Sequence, residues 1–187
     1  MVAGIAEHNG WAVVVCVRVV AGVPEVVERR RVELIEPGLP LMPYEHDTRG
    51  LSAADAERLV EEVRESALRC AERALGRLGD VAVIALRKPP LARVPLSVAE
   101  VHASHHLLAR ADAMLYHEAL RLAAEGLGMG VVTIQKGTER SLAAEVLGIT
   151  GGHLDALLSG QRAALGPPWQ QDHQAAMARA IGALSGG

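Results

Sequence analysis

Asn9-Gly10, set between two β-branched runs, constrains the fold more than any other feature of the chain. Asn-Gly supplies the positive φ angles of a tight hairpin turn, so Val2–Ile5 and Trp11–Val20 should be neighbouring antiparallel strands. A second turn at Ala21-Gly22, with Pro24 just behind it, leads into Glu25–Leu34 and extends the hairpin to a three-stranded meander. The segment from Glu36 to Gly50 holds Pro37, Gly38, Pro40 and Pro43 without periodicity and reads as a loop.

Beyond the loop the hydrophobic period changes. Ser52 and Asp55 mark a helix start, and Ala56, Leu59, Val60, Val63, Ala67, Cys70, Ala71 and Ala74 recur at helical spacing until Gly76–Gly79. Val81–Leu86 has no polar alternation and fits a strand buried on both faces. A long helix is expected from Ser97 to Glu125, then a strand at Val131–Ile134. Helices follow at Ser141–Leu147, from about His153 to Leu165 behind Thr150, and from Asp172 to Leu184 after a Gly166-Pro167-Pro168 break. The order is α/β: a five-stranded mixed sheet, with a three-stranded antiparallel meander plus two parallel strands and helices on both faces, in one domain spanning 1–187.

Composition narrows the function classes. The 187 residues are 50% apolar and 22% charged, enough apolar matter for a packed core. A formal net charge of −3 gives no overall basic footprint for a phosphate backbone. Phe is absent and aromatics make up 2%, too few for a base-stacking platform. The lysines are Lys88 and Lys136 alone, and Arg predominates. Cys16 and Cys70 lie in apolar periodic segments and suit reduced core thiols. Arg18 interrupts the longest apolar run, well short of the ~20 residues of a membrane span. The expected location is cytoplasmic, since no secretory pattern opens the sequence.

The element order is similar to the ribonuclease-H-like fold, and several stretches resemble the bacterial Holliday-junction resolvases of that superfamily. Ala3-Gly4-Ile5-Ala6-Glu7 followed by Gly10-Trp11-Ala12-Val13-Val14 resembles the resolvase opening, whose first strand ends Gly-Ile-Asp. Leu108-Ala109-Arg110-Ala111, Val146-Leu147-Gly148 with Gly151-Gly152, and Pro167-Pro168 leading to Asp172 and an Ala-rich helix follow in the same order. The resemblance implies a homodimer acting on nucleic acid. It also implies carboxylates at the ends of the first and fourth strands and the start of the last helix, together holding two divalent ions for phosphodiester hydrolysis.

Here the acids depart from that pattern. Ala6 stands where the resemblance implies the first Asp, with Glu7 adjacent but on the opposite strand face. Leu86 or Arg87 stands where it implies Glu, Asp172 matches the last-helix acid beside His173, and Ala175 replaces a second acid one turn on. If Arg87 projects toward Asp172, its guanidinium takes the place of a metal and forms an ion pair. The leading reading is a catalytically degenerate resolvase-like protein with a nucleic-acid-binding, protein-binding or structural role. The alternative is a Mg2+- or Mn2+-dependent endonuclease acting on branched or structured DNA. It would use Glu7 and Asp172 as metal ligands with His173, and His105 as general base.

Other clusters have simpler accounts. His102, His105, His106 and His117 share the long helix, and the His102/His106 spacing suits a shared metal, but no third ligand is evident and a solvated or partly buried face explains them. At helical pitch, His105 and Asp112 fall within the apolar stripe of Val101, Leu108 and Leu115 and need partners. They bond within the core, line a cleft with Arg87 and Asp172 that reads a small anionic ligand, or set register at a subunit seam. Glu28-Arg29-Arg30-Arg31 reads as a solvated edge strand, diluted by Glu25, Glu33 and Glu36.

Overall fold

The computed structural model describes residues 1–186. Gly187, the last residue of the expected domain, lies outside the described residues. Strands β1 (Val2–His8), β2 (Trp11–Val20) and β3 (Val23–Glu33) form the meander. Gly10 has φ 82°, but Asn9 does not share the positive φ expected of the pair; the turn with both residues left-handed is Ala21-Gly22, at φ 50° and 81°. Strands β4 (Val83–Arg87) and β5 (Gly130–Ile134) complete a five-stranded sheet of order β3-β2-β1-β4-β5. The meander is antiparallel, whereas β1 with β4 and β4 with β5 run parallel.

Helices cover both faces. On one side α1 (Ala53–Leu75), α2 (Val98–His102) and α3 (His105–Gly126) pack on Ile5, Val14, Ile84 and Leu86. On the other, α4 (Glu139–Leu147), α5 (Gly151–Leu165) and α6 (Gln171–Gly182) pack on Ala6, Val13, Val15 and Ala85. Glycine at position 4 lets α6 lie directly on β1: a Cβ there would sit 1.8 Å from the Ala176 carbonyl oxygen. No helix among the described residues is long and apolar enough to cross a membrane.

Two expectations change. The single helix from Ser97 to Glu125 is two helices, because Ser104 accepts a hydrogen bond from the Leu107 N–H and starts α3 afresh, as Ser97 does for α2 with Glu100. A serine side chain that bonds its own backbone competes with helix continuation. The loop from Glu36 to Gly50 contains a helical turn at Pro43–Asp47. Asp112 of α3 holds that turn, accepting the Tyr44 and Glu45 N–H groups at 3.0 and 3.1 Å.

Candidate functional site

The C-terminal ends of β1 and β4 do not stay together. They pair from Val2 with Val83 to Gly4 with Ala85 and then separate, which leaves a slot beside Ile5, Ala6 and Glu7. The outer edge of β4 remains joined to β5, with the Lys88 N–H on the Ile134 carbonyl at 2.7 Å. Side chains from both faces of the sheet meet in the slot.

Ala6 faces α6 and is buried there, so Glu7, one residue on, turns toward α3. The strand continues without a bulge at this point, with Glu7 opposite Ala12. The Glu7 side chain is 5% exposed and is ringed by nitrogen. Arg179, rising from α6, donates to its carboxylate at 3.3 Å and to the Ile5 carbonyl at 2.5 Å. Arg87 Nε and His117 Nδ1 each lie 3.7 Å from the other carboxylate oxygen. The second guanidinium nitrogen of Arg179 donates to Glu139 at 3.2 Å. Burial pushes the Glu139 carboxyl up, but hydrogen bonds from backbone N–H groups and Arg179 outweigh it and hold its pKa below the ordinary value.

Arg87 therefore pairs with Glu7, not with Asp172. Asp172 meets His8 at 3.2 Å, with both side chains partly exposed. His8 in turn stacks on Trp11, ring centroids 4.0 Å apart, and Arg31 lies over the same indole at 3.9 Å. Glu7 and Asp172 line separate cavities: Glu7 one of about 460 Å³ with His8, Trp11, Leu41 and Arg87, and Asp172 one of about 300 Å³ with Trp11, Arg29 and His173. His173 caps α6, its Nδ1 accepting the Gln170 N–H at 3.3 Å. Burial, helped by Arg29, lowers its pKa.

His105 stands exposed at the first position of α3, because the break at Ser104 shifts the helical phase and takes it out of the stripe. The same break places His102 and His106 on different helices; His102 contacts Thr48 and the Tyr44 carbonyl instead, each at 3.1 Å. Asp112 lies in the core, with its oxygens engaged by the two backbone N–H groups described above rather than turned to a ligand. Burial raises its pKa to about 6 against those hydrogen bonds. Arg29 is no solvated edge residue: it donates to all four carbonyls from Leu165 to Pro168.

Sequence reasoning missed Arg179 and the burial of His117. A usable signal existed for the first, since Arg179 is the one charged side chain after Asp172, set in an alanine-rich run that must pack on the sheet. Two divalent ions need a cluster of hard oxygen donors. The one carboxylate in the slot is instead matched by guanidinium and imidazole groups, and no cluster of three or more His, Cys, Asp or Glu side chains suited to a metal occurs among the described residues. The donors present do not fit a two-metal centre.

Strand order, crossover pattern and layering together define a ribonuclease-H-like fold. Solved structures agree. The chain is similar to Thermus thermophilus RuvC in complex with its Holliday junction substrate, with a TM-score of 0.53 and 14% identity over 98% of this chain and 91% of the other. It is also similar to a second Thermus thermophilus RuvC structure, with a TM-score of 0.51 and 14% identity over 98% and 92% of the two chains. No family model matches the sequence, and no curated protein matches it.

Proposed function

We propose that the chain is a resolvase-like protein that binds branched or otherwise structured nucleic acid without hydrolysing it. One observation carries this reading: Arg179 holds Glu7 in the slot between β1 and β4, with Arg87 and His117 beside it. A guanidinium cannot generate a metal-bound hydroxide, and with Arg179 engaged by Glu7, Glu139 and the Ile5 carbonyl the charge left for a phosphate is that of the more exposed Arg87 and its neighbours. The fold supports nucleic acid as the partner, since RuvC is similar in structure and carries a Holliday junction in one of the structures compared. With a net charge of −3, attraction has to be local, from the cations at the strand ends.

The test is incubation of labelled four-way-junction and linear duplex DNA with the full chain in Mg2+ or Mn2+, reading band shift and cleavage together. The expected result is a shift that favours the junction, with no cleavage. Cleavage that disappears in Asp172→Ala would restore the metal-dependent endonuclease. No shift with either DNA would remove nucleic acid as the partner.

A further inference from the structure

Both lysines of the chain line one cavity. Lys88 and Lys136, together with Arg87 and Arg110, face a space of about 490 Å³ beyond the ends of β4 and β5. The sheet places them there: Arg87 is level with Ile134, and the first residue after β4 and the second residue after β5 are the two lysines. Arg110 comes from α3, which closes the upper side, while Pro89-Pro90 forms a stiff wall.

These cations lack the close, unshared carboxylate that most arginines of the chain have, a lack that Arg29, Arg49, Arg77 and Arg162 share at scattered places. Arg18, Arg58, Arg69, Arg93, Arg121 and Arg140 each pair with a carboxylate. Lys88 and Lys136 form no ion pair among the described residues, and Arg110 donates to a neutral group, the His106 carbonyl, at 3.1 Å. Arg87 has Glu7 at 3.7 Å, but that carboxylate is shared with Arg179. The cavity thus keeps a positive surplus in a chain whose net charge is −3. An anion is the chemistry that satisfies it, and the mixture of a planar guanidinium fork and compact ammonium groups suits phosphate oxygens.

We propose that this cavity binds a terminal phosphate, a phosphomonoester carried by a nucleotide or by the end of a nucleic-acid strand. A phosphomonoester carries close to two negative charges at neutral pH and three free oxygens. An internal phosphodiester carries one charge and two free oxygens, so it would satisfy less of the surplus carried by Arg87, Lys88, Arg110 and Lys136. The strand-end form of the ligand rests on the nucleic-acid reading above; the phosphate chemistry stands apart from it.

The experiment measures binding of the full chain to fluorescent oligonucleotides with 5′-phosphate, 3′-phosphate or hydroxyl ends, with competition by inorganic phosphate, a nucleoside monophosphate and the matching nucleoside. A phosphorylated end is expected to bind about tenfold or more tightly than a hydroxyl end, as two or more charge-assisted hydrogen bonds imply. Inorganic phosphate and the monophosphate should compete, and the nucleoside should not. Lys88→Gln combined with Lys136→Gln should erase the preference; both side chains are exposed, and unchanged thermal melting verifies the fold. A monophosphate that binds as tightly as the strand identifies the free nucleotide as ligand, and a tighter strand identifies the polymer. Equal affinity for both kinds of end overturns the proposal, as does a preference that survives in the double variant. A hydroxyl-ended four-way junction separates the two readings. If it binds while phosphate neither adds affinity nor competes, this proposal alone falls; phosphate binding without junction binding removes the nucleic-acid reading alone.

Discussion

Arg179 reaches Glu7 from the opposite side of the sheet, passing through the slot where β1 and β4 separate. It also takes the Ile5 carbonyl that β4 leaves unpaired and the carboxylate of Glu139. One side chain therefore satisfies three acceptors from two elements, β1 and α4. Removing it should leave the Ile5 carbonyl unpaired and the buried Glu7 carboxylate with only Arg87 and His117, each at 3.7 Å. Arg179→Met is expected to lose about 3–5 kcal/mol in urea unfolding, as for other broken buried pairs. Adding Glu7→Gln should recover part of that loss. A double variant whose loss equals the sum of the single losses would show that the two residues are not coupled.

Gly4→Ala tests the support beneath this contact. The new Cβ would collide with the backbone of α6, which cannot yield as a flexible side chain can. A loss of about 3 kcal/mol or more is expected. Because α6 carries Arg179, the variant should also raise hydrogen exchange at Ile5–Glu7. A variant with wild-type stability would mean that α6 lies farther from β1.

Asp112 sets a pH dependence whose sign is unusual for a carboxylate. Its folded-state pKa of about 6 lies above the ordinary 3.8 because burial outweighs the N–H groups of Tyr44 and Glu45. Between those values the native state keeps a proton that the unfolded chain has released. Its contribution is therefore full at low pH and declines as pH rises from about 4 to about 6, by roughly 3 kcal/mol, then stays level. Glu118 and Glu139, held below the ordinary value, contribute in the opposite sense. The difference between wild type and Asp112→Asn, measured by urea unfolding across this range, isolates the first effect. An identical slope in both proteins would refute it.

Arg29→Lys should loosen the connection between α5 and α6. An ammonium cannot reproduce a guanidinium fork that serves four successive carbonyls. A loss of about 1–3 kcal/mol is expected, with faster hydrogen exchange in the residues from 165 to 170. Arg31→Lys, whose parent side chain lies over Trp11 but is itself exposed, should change stability by less than about 1 kcal/mol.

Much of the fold was legible in local patterns. Asn9-Gly10 specified the first hairpin, and Ser52 and Thr150 each cap a helix as their positions suggested. The helix break was legible too, but an apolar stripe read from Val101 to Leu108 and Leu115 outweighed the serine at position 104. That error carried His105 into the core on paper, because every later residue inherits the helical phase of the residues before it. The site was harder to read. The strand alternation of Ala6 and Glu7 is a local property, whereas the divergence of β1 from β4 and the arrival of Arg179 depend on three-dimensional packing. Asp172 stood out as an acid at a matched place, yet its neighbour is His8, and no spacing rule connects those two positions.

The contact between Glu7 and Arg179 joins positions 172 residues apart. During synthesis, β1 emerges well before α6, so the polar end of this strand waits for the residues between Glu7 and Arg179 before it is satisfied. Long-range closure of this kind is slow. The central strand of the sheet is thus secured only when α6 arrives, and the segments between them must remain soluble until then.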